Sequence, residues 1–229
     1  MIRLAQGEPG PGLAAQLDSI CAEVNYNTEI RAAVITGSGP VFCNDVASAG
    51  RAQPGFSLST PVASLNCPVI AAVNGDAVGI GLELALACDI RIAADTANFS
   101  LPGIRHGLTP SDGATQRLPR LVGRARAIEM MLTGEVVKAD EALRMGLVSR
   151  VVPARDVLNV ALEMGREMAG KASWALRFCK EAVYKGLDRT LAQGLELEGD
   201  LYFLLHTTED RTEGVKSFKE KRKPDFKGK

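Results

Sequence analysis

The sequence predicts an α/β fold in which helices cover a mainly parallel, buried sheet. Short apolar runs rich in β-branched residues alternate with helical patterns as far as Val152. After Asp156 only helical periodicity remains, with little turn chemistry between the helices. We therefore expect an α/β core over residues 1–153 and a helical segment over residues 154–229.

The predicted elements follow one another at short spacing. Ile2–Leu4 is the strand candidate before the first helix, which apolar residues at helical spacing place from Leu13 to about Asn25. Strands are then predicted at Ala32–Thr36, Val69–Val73, Asp89–Ala93, Ala97–Ser100 (continuing the same sheet) and Leu147–Val152. Helical segments are predicted from Ile80, at Thr115–Leu121, Arg124–Leu132, Ala139–Met145, Val157–Met168, Ser173–Tyr184 and Leu191–His206.

The composition is that of an ordinary globular protein. A chain of 229 residues can bury a substantial core, and its 27 basic side chains balance its 27 acidic ones. We therefore expect neither a nucleic-acid nor a membrane partner, and no apolar run reaches the length of a membrane span. The five cysteines have no paired or metal-ligand spacing. Without a signal peptide pattern, this predicts reduced thiols, no bound metal and a cytoplasmic location.

The stretch from Val69 to Asp89 organises the rest of the chain. It predicts a strand buried on both faces, a glycine-rich turn and a helix with Glu83 in its first turn. Free N–H groups there stabilise a carboxylate, and they could also receive negative charge developing on a ligand. A merely structural first-turn charge is the simpler alternative for Glu83. Dinucleotide binding is set aside, because Leu84 occupies the third glycine position of G-x-G-x-x-G.

The run NGDAVGIGLELALACDIRIAADTANFSLP resembles the enoyl-CoA hydratase/isomerase (crotonase) superfamily. The family pattern is N-G-x-x-x-G-G-G-x-E-L-x-x-x-C-D-x-x-x-A, followed by F-x-x-P-E. The resemblance continues through GLTPSDGATQRL and ends with DRTEGVKSFKEKRKPDFKGK, so that it covers most of the chain. It implies a crotonase-like spiral of ββα turns, short at its N-terminal end here, with a C-terminal helical trimerisation segment. A homotrimer or a dimer of trimers is the implied assembly.

The resemblance also implies a chemistry. Family members form an enolate on an acyl-CoA thioester, so coenzyme A is part of the substrate and no separate cofactor is expected. Two backbone N–H groups hold the enolate oxygen, and motif matching places them at Val46 and Ile80, next to Asn44 and Gly79 in the substrate site. Neither residue is proline, so both N–H groups are retained. Glu83 matches the family's catalytic acid/base.

Two departures from the family pattern bear on the reaction. Phe42-Cys43-Asn44-Asp45-Val46-Ala47 replaces F-C-A-G-A-D, and only about twenty residues then lead to Pro68, which implies a shortened wall on the acyl side. Gly103 stands where hydratases carry a second glutamate after proline. A general acid/base contributes about 10²–10⁴-fold to the rate, so the absence of the second glutamate argues against efficient ordinary hydration. Hydration and double-bond migration of an enoyl-CoA both remain open.

Other residues offer alternatives. Asp112 lies one position beyond the catalytic aspartate of dienoyl-CoA isomerases and dehalogenases in the superfamily, but it could equally cap the helix that follows. His106 is a second candidate, or a solvated loop residue. Either could serve ring hydration or hydrolysis, and a non-catalytic CoA-binding scaffold is the alternative outside enzymes. Phe218 and Lys221, with neighbouring basic residues, match the segment that meets CoA in a neighbouring subunit, or else form a solvated tail.

Overall fold

The computed structural model describes residues 1–5, 9–44 and 56–229. Its strands run, in chain order, β1 (Ile2–Leu4), β2 (Ala33–Gly37), β3 (Cys43–Asn44), β4 (Val69–Val73), β5 (Ala77–Val78), β6 (Ile90–Ala94), β7 (Asn98–Ser100), β8 (Val137–Lys138) and β9 (Arg150–Val152). Five of them form a parallel sheet in the order β1-β2-β4-β6-β9. A second sheet has the order β3-β5-β7-β8, in which only β7 and β8 pair antiparallel.

Helices cover both sheets and make up the C-terminal part of the chain. A 3₁₀ turn at Pro102–His106 precedes α4. No helix in the described part of the chain combines the length and the apolar character needed to cross a bilayer. The helices are α1 (Pro11–Tyr26), α2 (Ser59–Ala63), α3 (Ile80–Ala87), α4 (Ala114–Val122), α5 (Arg124–Thr133), α6 (Ala139–Arg144), α7 (Val157–Ala169), α8 (Ser173–Gly186), α9 (Leu191–Leu205) and α10 (Glu209–Lys219).

These elements confirm the predicted α/β class, with ends shifted by a few residues. One pairing prediction is wrong: β7 does not continue the sheet of β6. Asp76, just before β5, accepts hydrogen bonds from the Asn98 backbone N–H and side-chain amide at 3.1 and 2.8 Å, which hold β7 beside β5 in the second sheet. The short helix α2 and the last helix α10 were not predicted.

The boundary proposed at residue 153 stays a prediction, but α7 packs on the central sheet. Its buried residues are Val157, Ala161 and Gly165, and a Cβ at Gly165 would lie 3.4 Å from Val34 Cγ2 on β2. The absence of a side chain at Gly165 therefore lets α7 approach the sheet closely. Helix α7 therefore packs against the core, although it lies in the predicted helical segment after residue 153.

Helix α3 is almost completely buried. Every residue from Gly81 to Ala87 is buried, which explains its apolar composition. At its C-terminal end the buried Arg91 guanidinium donates to the carbonyl oxygens of Cys88 and Leu147, at 2.7 Å each. This places a cation at the negative end of the helix, where it is favourable.

A polar contact attaches the C-terminal helices to the core. Lys180 on α8 forms an ion pair with Asp89 at 2.8 Å, and the same carboxylate oxygen accepts the Val69 N–H at 2.7 Å. This contact is largely shielded from solvent, so it restricts the orientation of α8 on the core more than an exposed pair would. Within the helical segment, Asp210 at the start of α10 accepts the backbone N–H groups of Lys227 and Gly228, which holds the chain end against α10.

A first prediction concerns the contact between Gly81 and β3. A Cβ at Gly81 would lie 1.9 Å from the Cys43 carbonyl oxygen, so Gly81→Ala should force backbone apart and lower the free energy of unfolding by about 1–3 kcal/mol or more. Gly12 is the matched control, because it is also the second residue of a helix and a Cβ there meets nothing within 4 Å. Gly12→Ala should be neutral or stabilising by up to about 1 kcal/mol. Urea denaturation measures both, and equal stabilities would contradict the prediction.

Candidate active site

The first turn of α3 presents the backbone N–H group of Ile80, the residue predicted to donate a hydrogen bond to an enolate oxygen. Gly79 has φ 60° and ψ −124°, a conformation that favours glycine, and its carbonyl oxygen accepts the N–H groups of Leu82 and Glu83. The Ile80 N–H donates to none of the described acceptors. The Ile80 side chain packs against the hydrophobic core. The position therefore keeps a helix N-terminal donor despite the bulk of isoleucine.

Strand β3 lies directly against this turn. Gly81 lets the Cys43 backbone approach α3, and Asn44 is paired with Val78, one residue before Gly79. The half-buried Asn44 is thus beside the α3 N-terminus, as the resemblance implies. The second predicted donor, Val46, lies outside the described residues.

Glu83 is buried, with 4% of its surface exposed, and its partners lie outside its own helix. Oε1 accepts the Asp112 N–H at 2.8 Å and the Ala114 N–H at 3.0 Å. Ala114 is the first residue of α4, so the carboxylate is placed at the N-terminal end of that helix. Glu83 lies in the first turn of α3, as predicted, but its hydrogen-bond donors come from the start of α4 and from Asp112 just before it.

The environment of Glu83 raises its pKa. Burial is the largest cause, since a carboxylate loses hydration inside the protein. The N–H groups of Ala114 and Asp112, with a smaller contribution from that of Ser111, oppose this by stabilising the charged form, while the negative charge of Asp112 adds to the increase. A carboxyl group with a raised pKa is suited to donate and accept protons closer to neutral pH.

The segment 101–112 is tethered to α3 at both ends. The Ser100 carbonyl oxygen accepts the Gly79 N–H at 2.9 Å, and the Asp112 N–H reaches Glu83. Gly103 lies three residues beyond Ser100 and is half-buried. A Cβ there would lie 3.4 Å from the Leu108 carbonyl oxygen, an ordinary contact, so the backbone tolerates a Cβ at this position. His106 is exposed at the far end of the 3₁₀ turn.

Asp112 is buried, but its side chain does not cap the helix that follows it. Gly113 is the N-cap of α4 and provides no side-chain bond, so that alternative is wrong. The Asp112 carboxylate instead accepts hydrogen bonds at the start of α2, from the Ser57 hydroxyl and the N–H groups of Leu58 and Ser59. The sequence signal that was missed is Ser57 three residues before Thr60-Pro61, which indicates a helix start. No local sequence pattern shows that the Asp112 carboxylate binds the start of this helix.

The residues predicted to meet coenzyme A lie on the surface. Phe218 is 85% exposed, and Lys221 adopts φ 54° just after α10. None of the described contacts joins either side chain to Glu83. The neighbouring Arg222 pairs with Glu213 and Glu220, and this contact holds the Glu213 pKa at about 2. Within the described residues no three acidic, histidine or cysteine side chains converge as metal ligands.

Comparison with known proteins shows which family the chain is similar to. The family model described as enoyl-CoA hydratase/isomerase matches residues 12–229. A probable enoyl-CoA hydratase of Mycobacterium tuberculosis is 40% identical over 220 residues, which cover 92% of this chain and 86% of the relative. The 2,3-dehydroadipyl-CoA hydratase of Escherichia coli is 41% identical over 213 residues, covering 88% and 83%. The solved structure of an enoyl-CoA hydratase from Bacillus anthracis matches with a TM-score of 0.90 and 37% identity, over 97% of this chain and 91% of that one.

A second prediction follows from the raised pKa of Glu83. A carboxyl group whose pKa is higher in the folded state stabilises the protein below its unfolded pKa, near 4.5, and this contribution is lost as pH rises through the folded pKa. Glu83→Gln keeps the oxygen that accepts both N–H groups but carries no charge. The variant should therefore melt at a higher temperature than wild type at pH 8, with a difference that shrinks toward pH 4.5.

Differential scanning calorimetry across this pH range measures the effect. Glu163→Gln is the control, because Glu163 is exposed on α7. A stability difference between Glu83→Gln and wild type that does not change with pH would contradict the prediction.

Proposed function

Since this chain belongs to the enoyl-CoA hydratase/isomerase family and is a CoA-thioester enzyme of the crotonase type, we propose that it hydrates an enoyl-CoA or shifts its double bond, with Glu83 as the acid/base. One observation carries this proposal: a buried carboxyl group with a raised pKa lies in the first turn of α3, whose first N–H, that of Ile80, donates to no acceptor among the described residues. Proton transfer and oxyanion stabilisation thus come from residues three positions apart.

In the proposed reaction the thioester oxygen accepts hydrogen bonds from the Ile80 and Val46 N–H groups as the enolate forms. Losing one donor of this kind costs about 2.7–4 kcal/mol of transition-state stabilisation. Glu83 transfers a proton to or from the acyl chain beside that enolate. Its two N–H partners fix the carboxylate before the substrate arrives, so less reorganisation accompanies the proton transfer.

The choice between hydration and isomerisation depends on Gly103. We propose that Gly103 occupies the position of the second glutamate of family hydratases, and that the missing carboxyl group makes room for a different acyl chain. The names of the M. tuberculosis and E. coli relatives favour hydration, whereas family isomerases also work with a single carboxyl group, which most often stands at the position of Gly103. The alternatives that use Asp112 or His106 draw less support, because Asp112 is held by three donors and His106 is exposed.

We also propose a homotrimer, or a dimer of trimers, formed through the C-terminal helices. A large apolar surface on these helices supports it, since monomers rarely expose so much. In such an assembly Phe218 and Lys221 would meet the coenzyme A bound to a neighbour. The free cysteines support a cytoplasmic location. The exposed large apolar residues of this segment are Val183, Tyr184, Leu187, Leu191, Leu195, Tyr202, Phe203, Leu204, Val215 and Phe218.

A panel of enoyl-CoA thioesters of increasing chain length tests the proposed activity. At least one should be hydrated or isomerised by wild type. Glu83→Gln should bind it with similar affinity and lower kcat by roughly 10²-fold or more, because the variant keeps the shape of the site but not its proton transfer. The Glu163→Gln control should match wild type. Tight binding of the thioesters without turnover of any of them would favour the scaffold alternative instead.

Gly103→Glu tests whether the missing carboxyl group is a loss or a specialisation. The backbone accommodates a side chain, so the variant should fold. We expect turnover of the native substrate to fall, because a second negative charge near Glu83 raises the pKa of one carboxyl group of the pair, and we expect no gain of crotonyl-CoA hydration. Gly103→Gln, equal in size but uncharged, separates crowding from charge. A clear gain of crotonyl-CoA hydration in Gly103→Glu alone would identify the chain as a degraded hydratase.

A further inference from the structure

Asp112 connects α2 to α3: its carboxylate binds the start of α2, and its backbone N–H binds Glu83 on α3. Asp112 is buried, with 7% of its surface exposed. Its Oδ1 accepts a hydrogen bond from the Ser57 hydroxyl. Its Oδ2 accepts the N–H groups of Leu58 and Ser59, each at 2.9 Å. We call these four residues the Asp112 clasp. Three hydrogen bonds to one charged group form a strong, directional attachment of this residue to the start of α2.

The backbone of Asp112 is held as firmly as its side chain. Its N–H donates to Glu83 Oε1 at 2.8 Å, and its carbonyl oxygen accepts Arg117 Nη1 at 3.0 Å. The next residue, Gly113, has φ 108°, a conformation that requires glycine, and a Cβ there would lie 2.1 Å from Arg117 Nη1. Because every polar group of Asp112 has a partner, the direction of its N–H toward Glu83 is fixed.

We propose that Asp112 is a positioning residue, which orients the Glu83 carboxyl group through the clasp. The proposal rests on the proposed role of Glu83 as the acid/base, and it deepens that role. Asp112 does not touch the substrate in this account. It holds one oxygen of Glu83, which leaves Oε2, bound by neither of the two N–H donors, as the oxygen that exchanges the proton.

The charge of Asp112 gives the clasp a second effect on Glu83. Among the described elements packed on α3, the loop before α4 contributes Asp112, α4 contributes Arg117 and Arg120, and β3 contributes the Cys43 thiol. The described residues of α2 and β5 carry no titratable side chain, and Arg91 lies at the other end of α3. The negative charge of Asp112 favours protonated Glu83. Removing that charge should therefore move the titration of Glu83 to lower pH.

Three variants separate these effects. Asp112→Asn has the same shape and can still accept the two N–H groups, but it is uncharged. Ser57→Ala keeps the charge and removes one hydrogen bond of the clasp. Asp112→Ala removes the whole clasp. Asp140→Asn is the matched control, because Asp140 is an exposed aspartate in the first turn of α6.

The first readout needs no activity. Carbon-13 NMR of protein labelled at the glutamate carboxyl carbon follows the titration of Glu83, whose resonance is identified by its loss in Glu83→Gln. We expect the midpoint to move to lower pH in Asp112→Asn, and to stay at the wild-type value in Ser57→Ala and Asp140→Asn. An unchanged midpoint in Asp112→Asn would overturn the electrostatic part of the proposal. This result stands whether or not any enoyl-CoA is turned over, so it is independent of the proposed function.

The second readout is kinetic and uses the thioester of the panel that wild type turns over fastest. Asp112→Ala should lower kcat by about 10- to 100-fold with little change in KM, as expected for a misplaced acid/base. Ser57→Ala should give a smaller loss of kcat, and Asp112→Asn should shift the Glu83 limb of the pH–kcat profile to lower pH. If Asp112→Ala does not fold, Ser57→Ala and Asp112→Asn decide the matter. A kcat in Ser57→Ala equal to that of Asp140→Asn, with an unshifted profile in Asp112→Asn, would overturn the positioning role.

Discussion

The contact between Glu83 and the N-terminal end of α4 is the constraint on which the site depends. A carboxyl group that is 4% exposed must find donors or remain protonated, and here two backbone N–H groups supply them. This contact connects α3 to the segment 101–112 and to α4. The second tether of that segment, from Gly79 to Ser100, completes a closed loop over the first turn of α3. The position of Gly103 follows from these two attachments.

Close backbone approaches make this arrangement possible. Gly81 admits the Cys43 carbonyl oxygen, and Gly75 similarly admits the carbonyl oxygen of Pro40, where an added Cβ would lie 2.0 Å away. A side chain at either position would push β3 and its preceding turn away from α3. The glycines of this region therefore bring a second strand next to the helix N-terminus, besides shaping the turn at Gly79. An anion site formed by one helix N-terminus alone would lack the neighbouring strand β3.

The sequence predicted the strand, turn and helix around Glu83 because these features are local. Buried β-branched runs, glycine breaks and helical periodicity act over a few residues, and the resemblance to a family added the roles of Glu83 and Ile80. The partners of Glu83 and Asp112 were not predicted. Glu83 meets Ala114 and Asp112 meets Ser57, pairs separated by 31 and 55 positions, and no periodicity encodes such distances. The same limit explains β7, whose strand character was clear but whose pairing depends on Asp76.

The two buried carboxyl groups of the site, Glu83 and Asp112, are stabilised in the same way. Glu83 on α3 is placed at the first turn of α4, and Asp112 in the preceding loop is placed at the start of α2. Neither forms an ion pair with Lys or Arg in the described structure. A bidentate arginine would stabilise the carboxylate so strongly that proton uptake near neutral pH would be lost. Backbone N–H groups compensate part of the cost of burial and leave the rest, which is why the pKa of Glu83 stays raised rather than lowered. The fold thus buries a carboxyl group that is oriented by hydrogen bonds and whose raised pKa suits it to exchange a proton closer to neutral pH.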